Sequence, residues 1–224
     1  MFQEWELLDK VVRHVLTIKK LMIIHSLFPQ PVYFSKLERE LTKEELKTID
    51  AYKAKTYKNE SNTTSNNTYV LENKTLKNLK KDLNKKVINY FNEVVCTGNS
   101  IIPYITQSWI NYTETNQFHH KHSHFNSYVS GVFYIDAQKE VDSIIFYKKP
   151  DPNETIKLNI TKYNSFNSTS CLFPVETGNI FLFQSSLVHG VDKKKGNNIR
   201  ISLSFNVFVK GTLGNKKALT ELVL

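Results

Sequence analysis

The chain has 224 residues and a formal net charge of +9; 40% of its residues are hydrophobic and 12% aromatic. Such a composition can bury one substantial core and excludes an intrinsically disordered chain. Two cysteines, Cys96 and Cys171, with no C-x-x-C pair, exclude a disulfide framework and point to a reducing, cytoplasmic compartment.

The opening stretch MFQEWELLDKVVRHVLTIKKLMIIHSLFP places Trp5, Leu8, Val12, Val15 and Leu16 at helical spacing. Charged residues from Glu4 to Lys20 interrupt it, so it cannot span a bilayer, and an amphipathic helix is expected. A translation start at Met22 would leave residues 1–21 as an extra leader. Thr42 followed by Glu45 is a capping box and predicts a helix start. Asn59 to Tyr69, rich in Ser, Thr and Asn, reads as a loop. Leu76, Leu79, Leu83, Val87 and Phe91 then share one stripe, which predicts a further helix.

Beyond Gly98 the pattern changes to short β-rich runs. Strands are expected near Ser100–Ile105, Gln107–Trp109, Phe118–His124, Val129–Ile135 and Ser143–Tyr147, and again near Thr155–Ile160, Ser170–Phe173, Asn179–Gln184 and Arg200–Val209. Turn sequences such as KKPDPNE, PVETGN and KKKGNN separate them. Many short strands with few helices between them imply a mostly β fold with N-terminal helices, an antiparallel sandwich or jelly roll. The expected organisation is a helical segment over 1–99 packed on a β core over 100–210, with a C-terminal tail over 211–224, all one compact unit.

The positive charge invites a nucleic-acid reading, but lysine is scattered, with short runs at Lys80-Lys81, Lys85-Lys86 and Lys193–Lys195. A solubilising surface accounts for them more economically than a binding stripe. A noncatalytic basic protein that binds nucleic acid or a virion partner would also leave the histidines without a role.

Four of the seven histidines, His119, His120, His122 and His124, crowd into QFHHKHSHFNSYVSGVFYI. On a strand, residues two apart share a face, so His120, His122 and His124 point one way and His119 the other. Two imidazoles on one rigid face are a plausible pair of metal ligands; a solvated loop is the bland alternative. A third ligand must come from elsewhere, and His189, between an apolar run and a polar loop, is the candidate. In RISLSFNVFV, Ile201, Leu203, Phe205, Val207 and Val209 alternate with Arg200, Ser202, Ser204 and Asn206. The polar face either looks to solvent, as antiparallel sheets often do, or lines the sandwich interior. In the second case Arg200 and Ser202 make an anion site suited to a carboxylate.

Together these motifs resemble the 2-oxoglutarate- and iron(II)-dependent oxygenases, whose fold is a double-stranded β-helix. The resemblance is strongest to oxygenases of phage and marine bacterial genomes. It rests on Ser108-Trp109-Ile110-Asn111, His122-Ser123-His124, Ser130-Gly131-Val132-Phe133-Tyr134, the run from Gly178 to His189, and Arg200-Ile201-Ser202-Leu203-Ser204-Phe205-Asn206. It implies that His122, His124 and His189 bind iron(II), with His120 as an alternative ligand. It further implies that Arg200 and Ser202 hold the distal carboxylate of 2-oxoglutarate, with O2 as co-oxidant and ascorbate supportive. The oxidised substrate is left open among a protein side chain, a nucleobase and a small metabolite.

One position departs from the family pattern: a carboxylate is expected where His124 stands, and this puts the identity of the metal in question. A cupin-like three-histidine metal protein that does not use 2-oxoglutarate is the alternative, and it leaves Arg200 and Ser202 unexplained. Trp109, Phe133, Tyr134, Phe181 and Phe183 read as core, with Tyr134 also a candidate cosubstrate contact. Ser185 and Ser186 precede His189, but no nucleophile elbow accompanies them.

Overall fold

The computed structural model describes residues 24–98, 100–149 and 155–224. The amphipathic helix expected near the start falls on residues 1–23, outside the described residues. The chain divides into a unit of Met1–Gln30 and a unit of Pro31–Leu224. Residues 24–30 of the first contain no helix or strand, and the second carries all the elements below.

In chain order these are β1 (Val32–Lys36), α1 (Lys43–Ala51), β2 (Thr56–Asn59), β3 (Asn62–Ser65), α2 (Lys77–Tyr90), β4 (Ile101–Thr113), β5 (His119–His122) and β6 (Val129–Asp136). Then follow β7 (Ser143–Tyr147), β8 (Ser170–Pro174), β9 (Asn179–Gln184), β10 (Val188–Val191), β11 (Arg200–Leu213) and β12 (Leu222–Val223). The larger sheet runs β1-β9-β6-β11-β4-β3-β2, with β12 returning against the end of β11; the smaller runs β5-β10-β7-β8. Every strand pair is antiparallel.

The larger sheet is a middle layer with two different faces. Period-two alternation sends Phe133 and Ile135 of β6, Ile180 and Leu182 of β9, and Leu203, Phe205 and Val207 of β11 into one core. That core also takes Ile49 of α1 and Leu79, Leu83 and Val87 of α2. The intervening residues, Val132, Tyr134, Phe181 and Phe183, enter a second core shared with Ile144 and Phe146 of the smaller sheet. The polar side of β11 therefore faces the interior of the sandwich, and its apolar side faces the helices.

The capping box forms as expected. Thr42 Oγ1 accepts from Glu45 N–H at 3.2 Å, and Glu45 Oε2 accepts from Thr42 N–H at 2.9 Å. Arg39 then forks onto Glu45 (2.7 and 2.8 Å) and reaches Asp82 of α2 through Nε at 2.8 Å, tying the two helices together. The stripe of Leu76, Leu79, Leu83, Val87 and Phe91 is buried throughout.

Three expectations need correction. Ser100–Ile105 and Gln107–Trp109 belong to the single strand β4, whose register with β11 slips between Phe205 and Val207. Thr155–Ile160 is irregular and exposed except at its last residue, and no strand among the described residues pairs with it. Asn59–Tyr69 is no mere loop: β3 pairs with β4 through Thr63↔Tyr112 and Thr64↔Asn111. Its polar composition hid this. Thr64 Oγ1 donates to the buried Asn111 Oδ1 at 3.0 Å, so the hydroxyl has an interior partner.

Candidate metal and cosubstrate site

β5 and β10 are hydrogen-bonded neighbours, and His122 stands directly opposite His189. His124 follows β5, its backbone N–H donating to Ser185 O at 2.9 Å. The His124 ring lies 4.9 Å from that of His122 and 5.2 Å from that of His189. One ligating atom from each of His122, His124 and His189 lies within 4.8 Å of the other two.

Backbone carbonyls orient two of these rings. His122 Nδ1 lies 2.9 Å from His120 O, and His189 Nδ1 lies 3.0 Å from Leu187 O. A carbonyl only accepts, so each Nδ1 carries the proton and each Nε2 keeps its lone pair for a metal. Burial, reinforced by neighbouring imidazoles, pushes the pKa of His189 down to about 3 and that of His124 down to about 4. Burial also holds His122 below its ordinary value. All three are neutral near pH 7, the state that ligation requires.

Arg200 opens β11 and is 2% exposed. Its Nη2 donates to Thr113 Oγ1 at 3.0 Å and its Nη1 to Ser143 O at 3.4 Å, while Nε is buried without a partner. No carboxylate among the described residues comes within ion-pair distance of the guanidinium. Burial lowers its pKa from the ordinary value, yet a guanidinium remains charged at any working pH. Such a cation, short of acceptors, suits an incoming anion.

The structure brings the sequence-derived candidates together. His122, His124, His189, Arg200, Ser202 and Tyr134 all line one cavity. Burial pushes the Tyr134 hydroxyl up to about 12, so it stays protonated. Trp109 was expected in the core, but it is half-buried and lines the same cavity, its ring 5.7 Å from that of His124.

His119 also lines the cavity, contrary to the period-two expectation, and His120 does not. The register of β5 and β10 is irregular between the pairs His189↔His122 and Val191↔His119, and this re-aims the side chains. The His119 ring stacks on that of His122 at 4.5 Å.

Sequence reasoning gave Asn111 no role. It is a buried cross-brace, its Nδ2 donating to Ser204 Oγ at 3.1 Å while its Oδ1 accepts from Thr64. Ser185, which holds His124 through its carbonyl, bonds through Oγ to Ser127 (2.8 Å) and Ser130 (2.9 Å). Ser130 in turn donates to Asn206 Oδ1 at 3.3 Å. These hydroxyls stiffen the turn that carries His124. Their only trace in the sequence is polarity inside β-rich runs.

Residues 107–206 match the profile of a family described as "Putative 2OG-Fe(II) oxygenase". The matched stretch contains His122, His124, His189 and Arg200. No curated protein matches the sequence. Among solved structures, the chain is similar to the non-heme alpha ketoglutarate dependent carbocyclase SnoK from nogalamycin biosynthesis (TM-score 0.55, 10% identity, 81% of this chain and 82% of that one). It is also similar to a prolyl hydroxylase from Trichoplax adhaerens in complex with a hypoxia inducible factor peptide (TM-score 0.51, 14% identity, 92% and 91%). HygX from Streptomyces hygroscopicus, with nickel and 2-oxoglutarate bound, matches with a TM-score of 0.51 at 10% identity over 80% and 82% of the two chains. At these identities the likeness is one of fold, the double-stranded β-helix of 2-oxoglutarate oxygenases.

Proposed function

We propose that this chain is a 2-oxoglutarate-dependent oxygenase of hydroxylase type, in which His122, His124 and His189 hold iron(II) and Arg200 with Ser202 holds the cosubstrate. The supporting observation is the convergence, in one cavity, of three neutral imidazoles with a buried arginine that has no carboxylate partner among the described residues. Iron(II) bound there, with O2, supplies the oxidation of a substrate C–H bond coupled to conversion of 2-oxoglutarate to succinate and CO2.

The chain's own residues bind, orient and exclude water. The carbonyls of His120 and Leu187 hold two rings through Nδ1, leaving Nε2 as the nitrogen that would hold the metal. The Arg200 fork and the Ser202 hydroxyl take the distal carboxylate, and the buried Nε–H, without a hydrogen-bond partner, is a spare donor. Phe183, packed 4.6 Å from the His189 ring, walls one side against solvent. Trp109 beside His124 leaves a rigid aromatic edge for the substrate to rest on. Three imidazoles add no negative charge, so the dianionic cosubstrate would meet a dication at one end and the Arg200 guanidinium at the other, without the protein carboxylate usual in such sites. The exposed, unpaired Cys96 and Cys171 fit a reducing cytoplasm. No helix among the described residues is long and apolar enough to cross a membrane.

The purified chain with iron(II), ascorbate and 2-oxoglutarate should form succinate slowly without substrate. Arg200→Ala should suppress this through weaker cosubstrate binding, and His122→Ala through loss of metal. His124 at the carboxylate position favours a second reading, a three-histidine metal protein with another reaction. Calorimetry on the metal-loaded chain decides between them, because absence of 2-oxoglutarate binding would overturn the first.

A further inference from the structure

The histidine cluster holds more imidazoles than the proposed iron centre uses. The His119 ring stacks on His122, with planes 18° apart, and the His120 ring lies 5.2 Å from His119 and 5.0 Å from His122. One ligating atom from each of the three lies within 4.8 Å of the others, as in the inner trio. Regular alternation would have separated His119 from His122; the irregular β5–β10 register brings them together. Gly190 is what permits the close approach, because a Cβ there would stand 3.0 Å from His119 O and 3.2 Å from His120 O.

Two further observations point to a ligand. His120 Nδ1 is buried and makes no hydrogen bond, an uncommon and costly state for an imidazole nitrogen. Glu60 Oε2 lies 3.2 Å from that nitrogen, near enough for a shared ion but not aligned as a hydrogen bond. Glu60 sits in the turn between β2 and β3, its side chain 60% exposed and able to swing.

We infer that His119, His120 and His122, with Glu60 as fourth donor, form an outer site for a divalent transition metal of the zinc class, and that it competes with the inner site for His122. Three imidazoles and a carboxylate make the closed four-coordinate set that zinc favours. Competition follows from the hydrogen bonding: His122 Nδ1 is committed to His120 O, so the ring has one free nitrogen and can serve one ion at a time. Metal in the outer site therefore dismantles the inner trio, so zinc-class ions act as antagonists of iron loading. The inference rests on the assignment of His122 to the iron centre.

The test uses the full chain, stripped of metal, and its variants, with Zn(II) binding followed by calorimetry and the Co(II) absorption spectrum recorded with and without 2-oxoglutarate. His189→Ala removes an inner ligand and leaves the outer set whole; it should bind one Zn(II), and its Co(II) spectrum should ignore 2-oxoglutarate. His124→Ala, which leaves β10 intact, serves as the second variant for the same purpose. Adding His120→Ala to either should weaken Zn(II) by at least about tenfold, the scale on which even a supporting partner matters. The wild type should saturate at one Zn(II) per chain. The proposal is overturned if the inner-site variants bind Zn(II) no better than the doubles, or if the wild type takes two ions. If the Co(II) spectrum of His120→Ala ignores 2-oxoglutarate while His189→Ala still binds Zn(II), the outer site stands and the iron-centre assignment falls.

Discussion

His122 and His189 face each other across the β5–β10 ladder with ring centroids 4.3 Å apart. Each is tied through Nδ1 to a carbonyl two residues earlier in the chain. A cross-strand pair of this kind is set by backbone register rather than by flexible side chains, so the fold itself fixes how the two rings meet.

His122 belongs to both trios of imidazoles, so its removal should be the most damaging single change. His122→Ala is expected to lose at least about tenfold in affinity for Co(II) or Fe(II) and to abolish succinate formation. Far-UV circular dichroism should be unchanged. Metal binding at wild-type strength by this variant would contradict the assignment.

Arg200 carries a buried charge whose hydrogen bonds are incomplete, which is unfavourable for the ligand-free fold. Arg200→Met should therefore be neutral to stabilising without ligand, while weakening 2-oxoglutarate by ~3 kcal/mol, roughly a hundredfold. Thermal melts and cosubstrate calorimetry on the same sample check both halves.

The lowered histidine pKa values set an acid limit. Above about pH 6.5, the ordinary value, folded and unfolded chains both hold neutral imidazoles and the cluster adds no pH dependence. As pH falls from there, the unfolded chain takes up protons that the folded chain refuses until about 4 at His124 and about 3 at His189. Stability of the metal-free protein should thus drop progressively between about pH 6.5 and pH 4. Melting temperatures across that range test it, and His189→Gln should flatten part of the slope.

Gly131 has no room for a side chain: a Cβ would lie 2.2 Å from Phe205 Cζ and 2.8 Å from Leu182 Cδ2. Both partners are fully buried. Gly131→Ala should destabilise by about 1–3 kcal/mol through overpacking. A urea midpoint shifted down at constant m-value would show it.

The alternation in Arg200–Val209 already showed two unlike faces in the sequence, and the stripe from Leu76 to Phe91 showed a helix with one apolar side. What pattern alone left open was which face of β11 looks inward, since that depends on a second sheet lying over it. The position of His119 was illegible for a different reason: a register irregularity changes the two-residue period locally, and no residue type announces it. The β2–β3 hairpin was missed because its stabilising contacts are backbone pairing and buried hydroxyls rather than apolar alternation. His122 and His189 were readable as candidate ligands because histidines so placed on β-rich segments are a common way to offer imidazoles to a metal.

The β2–β3 hairpin also bears on how far the chain can be shortened. Ser65 Oγ accepts from Ile110 N–H at 3.0 Å, Ser108 Oγ accepts from Leu71 N–H at 2.9 Å, and the apolar stripe of α2 shares one core with Leu203 and Phe205. A fragment begun at residue 100 would present a bare strand edge and a greasy sheet face to water, inviting intermolecular pairing. The stretch that holds the candidate site is thus not a detachable cassette: the residues before it serve as its outer wall.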